Sequence, residues 1–398
     1  MRKPIVFPAL LAGLLFVSAN LWAVERPKED PDYKDEPTAV TATDLEILSN
    51  KINDLAKFGK VNVLLKAQYI NGDVAPGTPG LPKGFAHPVP TPAAGASKYN
   101  DVFLGRTAEI SFAGDLNDKK IAYRFQWDPL ASASPGKAGV SANDQIKDYW
   151  IRLSYLNFVD VQAGQFKYPQ GLEGRTSSGE IDFVNVANLT TAFANRRDLA
   201  LQVSGSKIPL PGGLPWTFEY AVALVKGSGQ NAAENNDHKD PAGRVGLTLT
   251  DLGLYLGASA YSGFQNTSAT FANRGYRDDL GYEFRYTLDK FKLQGEFIQG
   301  HQEIGNNFNP VAAGRSLPQG FYVTAQYRYE DLRLGVRAES YDSNVLGVKT
   351  VGGGNWNNDT LTVGLDWFQA KDKFRLTLNW ENHLRQYEVL FGQAQVNI

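Results

Sequence analysis

The stretch VDVQAGQFKYPQGLEGRTSSGEIDFVNVANLTTAFANRRDLALQVSG, Val159–Gly205, decides how the rest of the chain is read. It opens on a short alternating strand, Val159 to Lys167. A long irregular loop follows, Pro169 to Asn195. It closes on a second alternating strand, Asp198 to Ser204, apolar at Leu199, Leu201 and Val203. A loop this long between two short strands makes sense if it does more than turn the chain. The reading is a loop folded into a membrane pore, narrowing it, with the remaining chain as the barrel around it.

Outward from this stretch the period is 2. Ile121, Tyr123, Phe125 and Trp127 alternate with Ala122, Arg124, Gln126 and Asp128. Phe321, Val323, Ala325, Tyr327 and Tyr329 alternate with Tyr322, Thr324, Gln326 and Arg328, and Phe374, Leu376, Leu378 and Trp380 with Arg375, Thr377, Asn379 and Glu381. One face is apolar and often ends in an aromatic; the other is polar and often charged. A soluble sandwich turns the apolar face to a core, whereas a membrane barrel turns it to lipid and keeps charge in a wet interior. The connections choose between them. Short links (Asp115–Lys119, Leu156–Asp160, Asp289–Lys290, Glu330–Asp331, Ala370–Lys373) alternate with long polar loops (Gly72–Asp101, Pro129–Asn143, Pro169–Asn195, Gly227–Asp240, Ser262–Arg277, Gly300–Leu317, Tyr341–Asn358). Long loops outside and short turns in the periplasm mark an outer-membrane barrel. The predicted fold is therefore all-β: a transmembrane antiparallel barrel of about 16 strands, enough for an aqueous channel, with a short N-terminal periplasmic helix.

Three segments follow. Residues 1–23 read as a signal peptide: Arg2 and Lys3, an apolar run from Ile5 to Val17, then small residues, with cleavage after Ala23 or Ala19. Residues 24–58 are charged and Pro-containing at first, then carry a capping box at Thr43–Glu46 and an apolar seam at Leu45, Leu48, Ile52 and Leu55. That helix either packs on the barrel's periplasmic end or bundles a trimer. Residues 59–398 form the barrel, whose last residues Ala394, Val396 and Ile398 face lipid.

Composition excludes several functions. The net charge is −2, or −4 without Arg2 and Lys3, so no general basic surface for nucleic acid exists. There is no Cys, and the four His residues, His87, His238, His301 and His383, form no HExxH, leaving zinc chemistry without ligands. No cofactor is expected. His383 beside Glu381 and Asn382 is the one remote candidate for an enzyme, and neighbours in line on a strand point to opposite faces.

Several short elements carry a family resemblance. Gly164-Gln165-Phe166-Lys167-x-Pro169, followed by Gly171-Leu172-Glu173 and Ser177-Ser178, resembles the phosphate-selective porin O and P family of Gram-negative outer membranes. The strand from Arg106 to Gly114, and Arg197 leading into Gln202–Gly205, resemble it too. The resemblance implies trimeric sixteen-stranded porins whose third loop enters the lumen and whose inward Arg and Lys residues guide anions.

If the apolar face meets lipid, the lumen face can be named. Its anion-guiding candidates are Lys66, Arg124, Arg152, Lys167, Arg244, Arg285, Arg328, Arg333, Arg337 and Arg375. Acids such as Glu283, Glu296, Glu339 and Asp366 leave the lumen near neutral on average. Arg328, Arg333 and Arg337 are expected as a local stripe, and such a stripe in a narrow channel favours anions. Glu173, Arg175, Arg196 and Arg197 belong to the constriction loop or its edge. The expected function is an outer-membrane channel for small anions of phosphate or polyphosphate type, with outer-membrane lipid around it and a homotrimer as its assembly. A general or sugar- or organic-acid-specific porin is the alternative, since Trp150, Tyr322, Tyr341 and Phe368 fall on the lumen face as a stacking track. A receptor whose loops bind a partner is a third reading.

Overall fold

The structure is a computed structural model, and it describes residues 59–73, 99–131, 145–194, 196–234, 238–266, 274–304, 314–342, 345, 359–383 and 387–398. The expected signal peptide, the segment 24–58 with its helix, and most of the first, second and seventh long loops lie outside the described residues.

The strands are β1 Lys60–Asp73, β2 Tyr99–Leu116, β3 Ile121–Trp127, β4 Ile146–Leu156, β5 Val159–Lys167, β6 Arg197–Pro209, β7 Trp216–Val225, β8 Asp240–Leu249 and β9 Leu254–Asn266. They continue as β10 Arg274–Leu288, β11 Phe291–Ile304, β12 Gly314–Ser316, β13 Gln319–Tyr329, β14 Leu332–Asp342, β15 Thr360–Gln369, β16 Phe374–His383 and β17 Tyr387–Asn397. The three-residue β12 pairs with β11, as β13 does, and forms one stave with β13. Every stave pairs antiparallel with its sequence neighbours, and β1 also pairs with β17 from Leu64↔Asn397 to Gly72↔Val389. The result is a closed sixteen-stranded barrel without edges, the arrangement that leaves no backbone donor facing lipid.

Alternation sets which way each side chain points. Ile151, Leu153 and Tyr155 on β4, Leu199, Leu201 and Val203 on β6, and Leu365 and Trp367 on β15 are exposed on the outer wall. Gln126, Asp366, Thr377, Asn379, Glu381 and Gln395 are buried on the inner side. A fold that exposes leucine and buries glutamate has its apolar solvent outside. Short turns close one end of the barrel, with positive φ at Phe158, Asp289 and Glu330. The register shifts at Lys66/Ala67 on β1, opposite Arg106, at Gln126/Trp127, opposite Lys147, and near the turns at Leu153/Leu156 and Gly205/Ile208.

Candidate functional site

The long loop of the opening stretch, residues 168–196 with Asn195 outside the described residues, runs inside the barrel. Its path is set by the wall. Basic side chains of the staves donate to its carbonyls, and wall carboxylates accept from its amides.

Six stave cations hold loop carbonyls, one of them Arg277 on β10, which donates to Phe193 O at 3.3 Å. Lys66 Nζ on β1 donates to Ser178 O at 2.5 Å, and Lys167 Nζ at the end of β5 donates to Thr176 O at 2.7 Å. Arg375 on β16 donates to Ile181 O at 2.7 Å and to Asp182 O at 2.6 Å. Arg333 on β14 donates to Asp182 O at 3.1 Å, and Arg337, with its side chain 1% exposed, to Asn185 O at 2.9 Å. Each of these is a charge-assisted bond, about twice as strong as a neutral one. On the amide side, Glu296 of β11 accepts from Leu172 N and Glu173 N, the latter at 2.6 Å, and Glu339 of β14 accepts from Asn188 N at 2.6 Å. Gly171 N donates to Ser259 Oγ at 3.2 Å on β9. The loop is thus tied to staves from β1 and β17 round to β9.

The loop also packs. Its single helix, α1 (Asn188–Phe193), is only six residues long and has no side-chain cap. Its stability comes from burial: Leu189, Phe193 and Ala194 lie against Ile298, Tyr322 and Tyr341 of the wall. Inside the loop, Glu173 accepts from Ala187 N at 2.9 Å and from Thr190 Oγ1 at 2.7 Å. Burial pushes the Glu173 carboxyl above the usual carboxylate range, against the opposing pull of Arg337 at 3.6 Å and of those two hydrogen bonds.

The remaining expected site residues fall into distinct places. Arg244 is closed in by Glu219 at 2.5 Å and Glu283 at 2.6 Å, with Tyr255 stacked beside it. Arg328 forms a two-toothed pair with Asp372 of the last short turn, at 2.9 and 2.6 Å, and is 39% exposed at the short-turn rim. Arg197 pairs with Asp148 at 2.7 Å, and Arg124 reaches the same carboxylate at 3.7 Å. Arg175 and Arg196 turn back on the loop itself, donating to Gly171 O and Ala192 O. Arg152 and Arg285 face the lumen half-buried. Arg328, Arg333 and Arg337 do sit on the paired staves β13 and β14, with Arg328 directly across from Arg333. They divide their work, however: the first binds a turn and the other two bind the loop.

Alternation missed some charges for a physical reason. The bulge at Gln126/Trp127 lets Lys147 turn inward, where it meets Glu109 at 2.6 Å and Asp128 at 3.0 Å. Glu109 in turn accepts from Ser178 Oγ of the loop at 2.9 Å. Arg277 and Asp279 form a buried pair, with the Arg277 guanidinium between the rings of Phe193 and Tyr261. Gln165, two residues before Lys167 on β5, donates to Ile146 O, Lys147 O and Asn231 Oδ1. His383 and Glu381, two apart on β16, share a face and meet at 3.5 Å, so the opposite-face argument applies to Asn382 and not to Glu381.

The aromatic residues of the lumen face are mostly covered. Tyr322 and Tyr341 lie under α1. Phe368 carries three guanidinium groups around its ring: Arg328 at 4.5 Å, Arg333 at 5.1 Å and Arg375 at 5.6 Å. Trp150 is half-buried beneath Arg152 at 5.5 Å.

Comparison with known proteins agrees with this architecture. Residues 93–245 match the family described as phosphate-selective porin O and P. No curated protein matches the chain. Among solved structures it is similar to the outer membrane channel DcaP of Acinetobacter baumannii, with 9% identity and a TM-score of 0.58 over 85% of this chain and 97% of that one. It is also similar to Salmonella typhi OmpF in complex with daunomycin, with 12% identity and a TM-score of 0.54 over 86% and 99%. The trimer form of OmpT of Vibrio cholerae gives 10% and 0.52 over 86% and 100%. At these identities the solved structures show the fold alone. The chain has the fold of outer-membrane porins, and across residues 93–245 it matches the phosphate-selective porin O and P family.

Proposed function

We propose that this porin is a water-filled diffusion channel that prefers small anions, phosphate and polyphosphate among them, and works as a homotrimer with the third loop as its constriction. The observation that carries the reading is the loop's position: residues 168–194 lie within the barrel, bonded to staves from β1 to β17. A loop fastened across a lumen sets the free cross-section there. The family match supports the anion preference, as do arginines on the lumen wall, whose field is focused by a narrow low-dielectric channel. The trimer form of the similar OmpT structure supports the assembly. Covering of Tyr322, Tyr341 and Phe368 weighs against a sugar channel, because a stacking track needs open ring faces.

Shortening the loop between Thr176 and Ala192 in full-length protein tests the constriction. Single-channel conductance in planar bilayers rises if the loop sets the pore width. Unchanged conductance in a variant that still shows heat-modifiable migration places the constriction elsewhere.

A further inference from the structure

The lumen cations divide by what their donors already hold. Lys66, Lys167, Arg333, Arg337 and Arg375 donate to carbonyls of the third loop. Arg244 lies between Glu219 and Glu283, Arg124 and Arg197 share Asp148, and Arg328 is paired at the rim. Two guanidinium groups remain. Among the described residues, Arg152 on β4 and Arg285 on β10 have neither a hydrogen bond nor an ion pair, and the Nε of each is buried without a partner. No carboxylate stands directly across from either. Arg152 faces Ala122 and Gln162, and Arg285 faces Tyr255 and Gln294. Lys292 lies one diagonal step from Arg285. Their staves are six apart in the ring of sixteen, so the two arginines enter the lumen from different parts of the wall. The Trp150 ring supports the Arg152 guanidinium plane from one side.

The buried Nε of each is out of a solute's reach, but the terminal guanidinium nitrogens are not among the buried atoms and hold no protein acceptor, so they can donate to a passing anion. A cation already bonded to the loop must break that bond first. We propose that Arg152 and Arg285 are the selectivity-determining residues of the channel. Each offers an unoccupied fork of terminal donors to a permeating oxyanion with two oxygens on one side, a phosphate or a carboxylate, while the other cations named above are bonded to the loop, to a wall carboxylate or to a turn. The proposal rests on the anion-channel reading above.

The test uses full-length protein in planar bilayers under a KCl gradient, with inorganic phosphate or succinate added as a blocker of chloride current. Arg152→Gln or Arg285→Gln lowers the chloride-to-potassium permeability ratio about twofold, and the double variant about fourfold. Replacing both by Lys keeps the charge and so the ratio, but removes the fork and raises the blocking oxyanion concentration about threefold. The lysine pair also serves if the glutamine pair does not fold. Block by phosphate alone assigns the forks to phosphate, and block by succinate alone assigns them to carboxylate. If the wild type prefers chloride and the double Gln variant keeps both ratio and block, this inference fails while the channel reading stands. The inference also fails if the lysine pair blocks like wild type. A wild type that prefers potassium overturns the anion reading itself.

Discussion

Arg375→Met isolates one clamp of the third loop. The side chain is buried and makes two bonds to the loop, at 2.7 Å to Ile181 O and 2.6 Å to Asp182 O, besides one at 2.7 Å to Asp366. A hydrogen bond to a charged group contributes about 1.5–3 kcal/mol. The freed carbonyls lie beside a wet lumen, and Asp366 keeps Arg333 at 2.8 Å and Thr377 at 2.6 Å. The low end therefore applies, about 2–3 kcal/mol for the two loop bonds together. At about 1.4 kcal/mol per factor of ten, the docking equilibrium of the Ile181–Asp182 segment shifts roughly 30- to 150-fold. Amide hydrogen exchange read by mass spectrometry should show that gain in exchange rate for peptides spanning residues 176–186, with little change in the staves. Single-channel records of the same variant should show brief excursions to higher conductance. Wild-type protection of the loop in a folded Arg375→Met barrel would refute the clamp.

Other consequences follow from particular contacts. Gly164→Ala introduces a side chain at φ 133°, where the new Cβ meets Trp150 Cα at 2.6 Å, so the heat-modified form should appear at a lower temperature than in wild type, for a cost of about 1–3 kcal/mol. Arg244→Leu leaves Glu219 and Glu283 without their cation in the wall and should lower the same temperature more, for about 3 kcal/mol, whereas Arg328→Leu at the exposed rim should change it little. Glu173 has a raised pKa in the docked loop, so the docked state takes up the proton more readily than a released one. Docking should therefore strengthen as pH falls through the raised value, with the gain complete below the ordinary carboxylate range. Loop-driven current noise should fall over that window and lose this pH dependence in Glu173→Gln. Deleting Thr43 to Lys57 should weaken the trimer in mild detergent without abolishing the barrel, and an intact protein that runs as a monomer by native mass would rule the trimer out.

The barrel was legible because its physics is written locally. Period-2 alternation fixes facing, and turn length fixes which end is which, so β5 and the apolar face of β6 agree with the sequence reading. The lumen position of most basic residues followed from the same alternation. Their partners did not, because a bond such as Arg375 to Asp182 O joins residues 193 apart and depends on where the loop lies. Lys147 was missed because a one-residue bulge reverses facing without any mark in the pattern around it. Arg328, Arg333 and Arg337, expected as a stripe, lie on the paired staves β13 and β14, but alternation is silent on occupancy: Asp372, the loop carbonyls and Glu339 take up those donors. The sequence alone likewise offered no way to separate Arg152 and Arg285 from the rest of the list.

The reversal potential of the wild-type channel under a KCl gradient tests anion preference through a loop-narrowed lumen most directly. The sign should be that of a channel passing chloride more readily than potassium, and added phosphate should block the chloride current. Screening over roughly 10 Å at 0.1 M salt keeps the lumen arginines effective near the constriction, so the preference should weaken as salt rises. A reversal potential of the opposite sign, with no effect of phosphate, would contradict the account and leave a porin that admits solutes without regard to their negative charge.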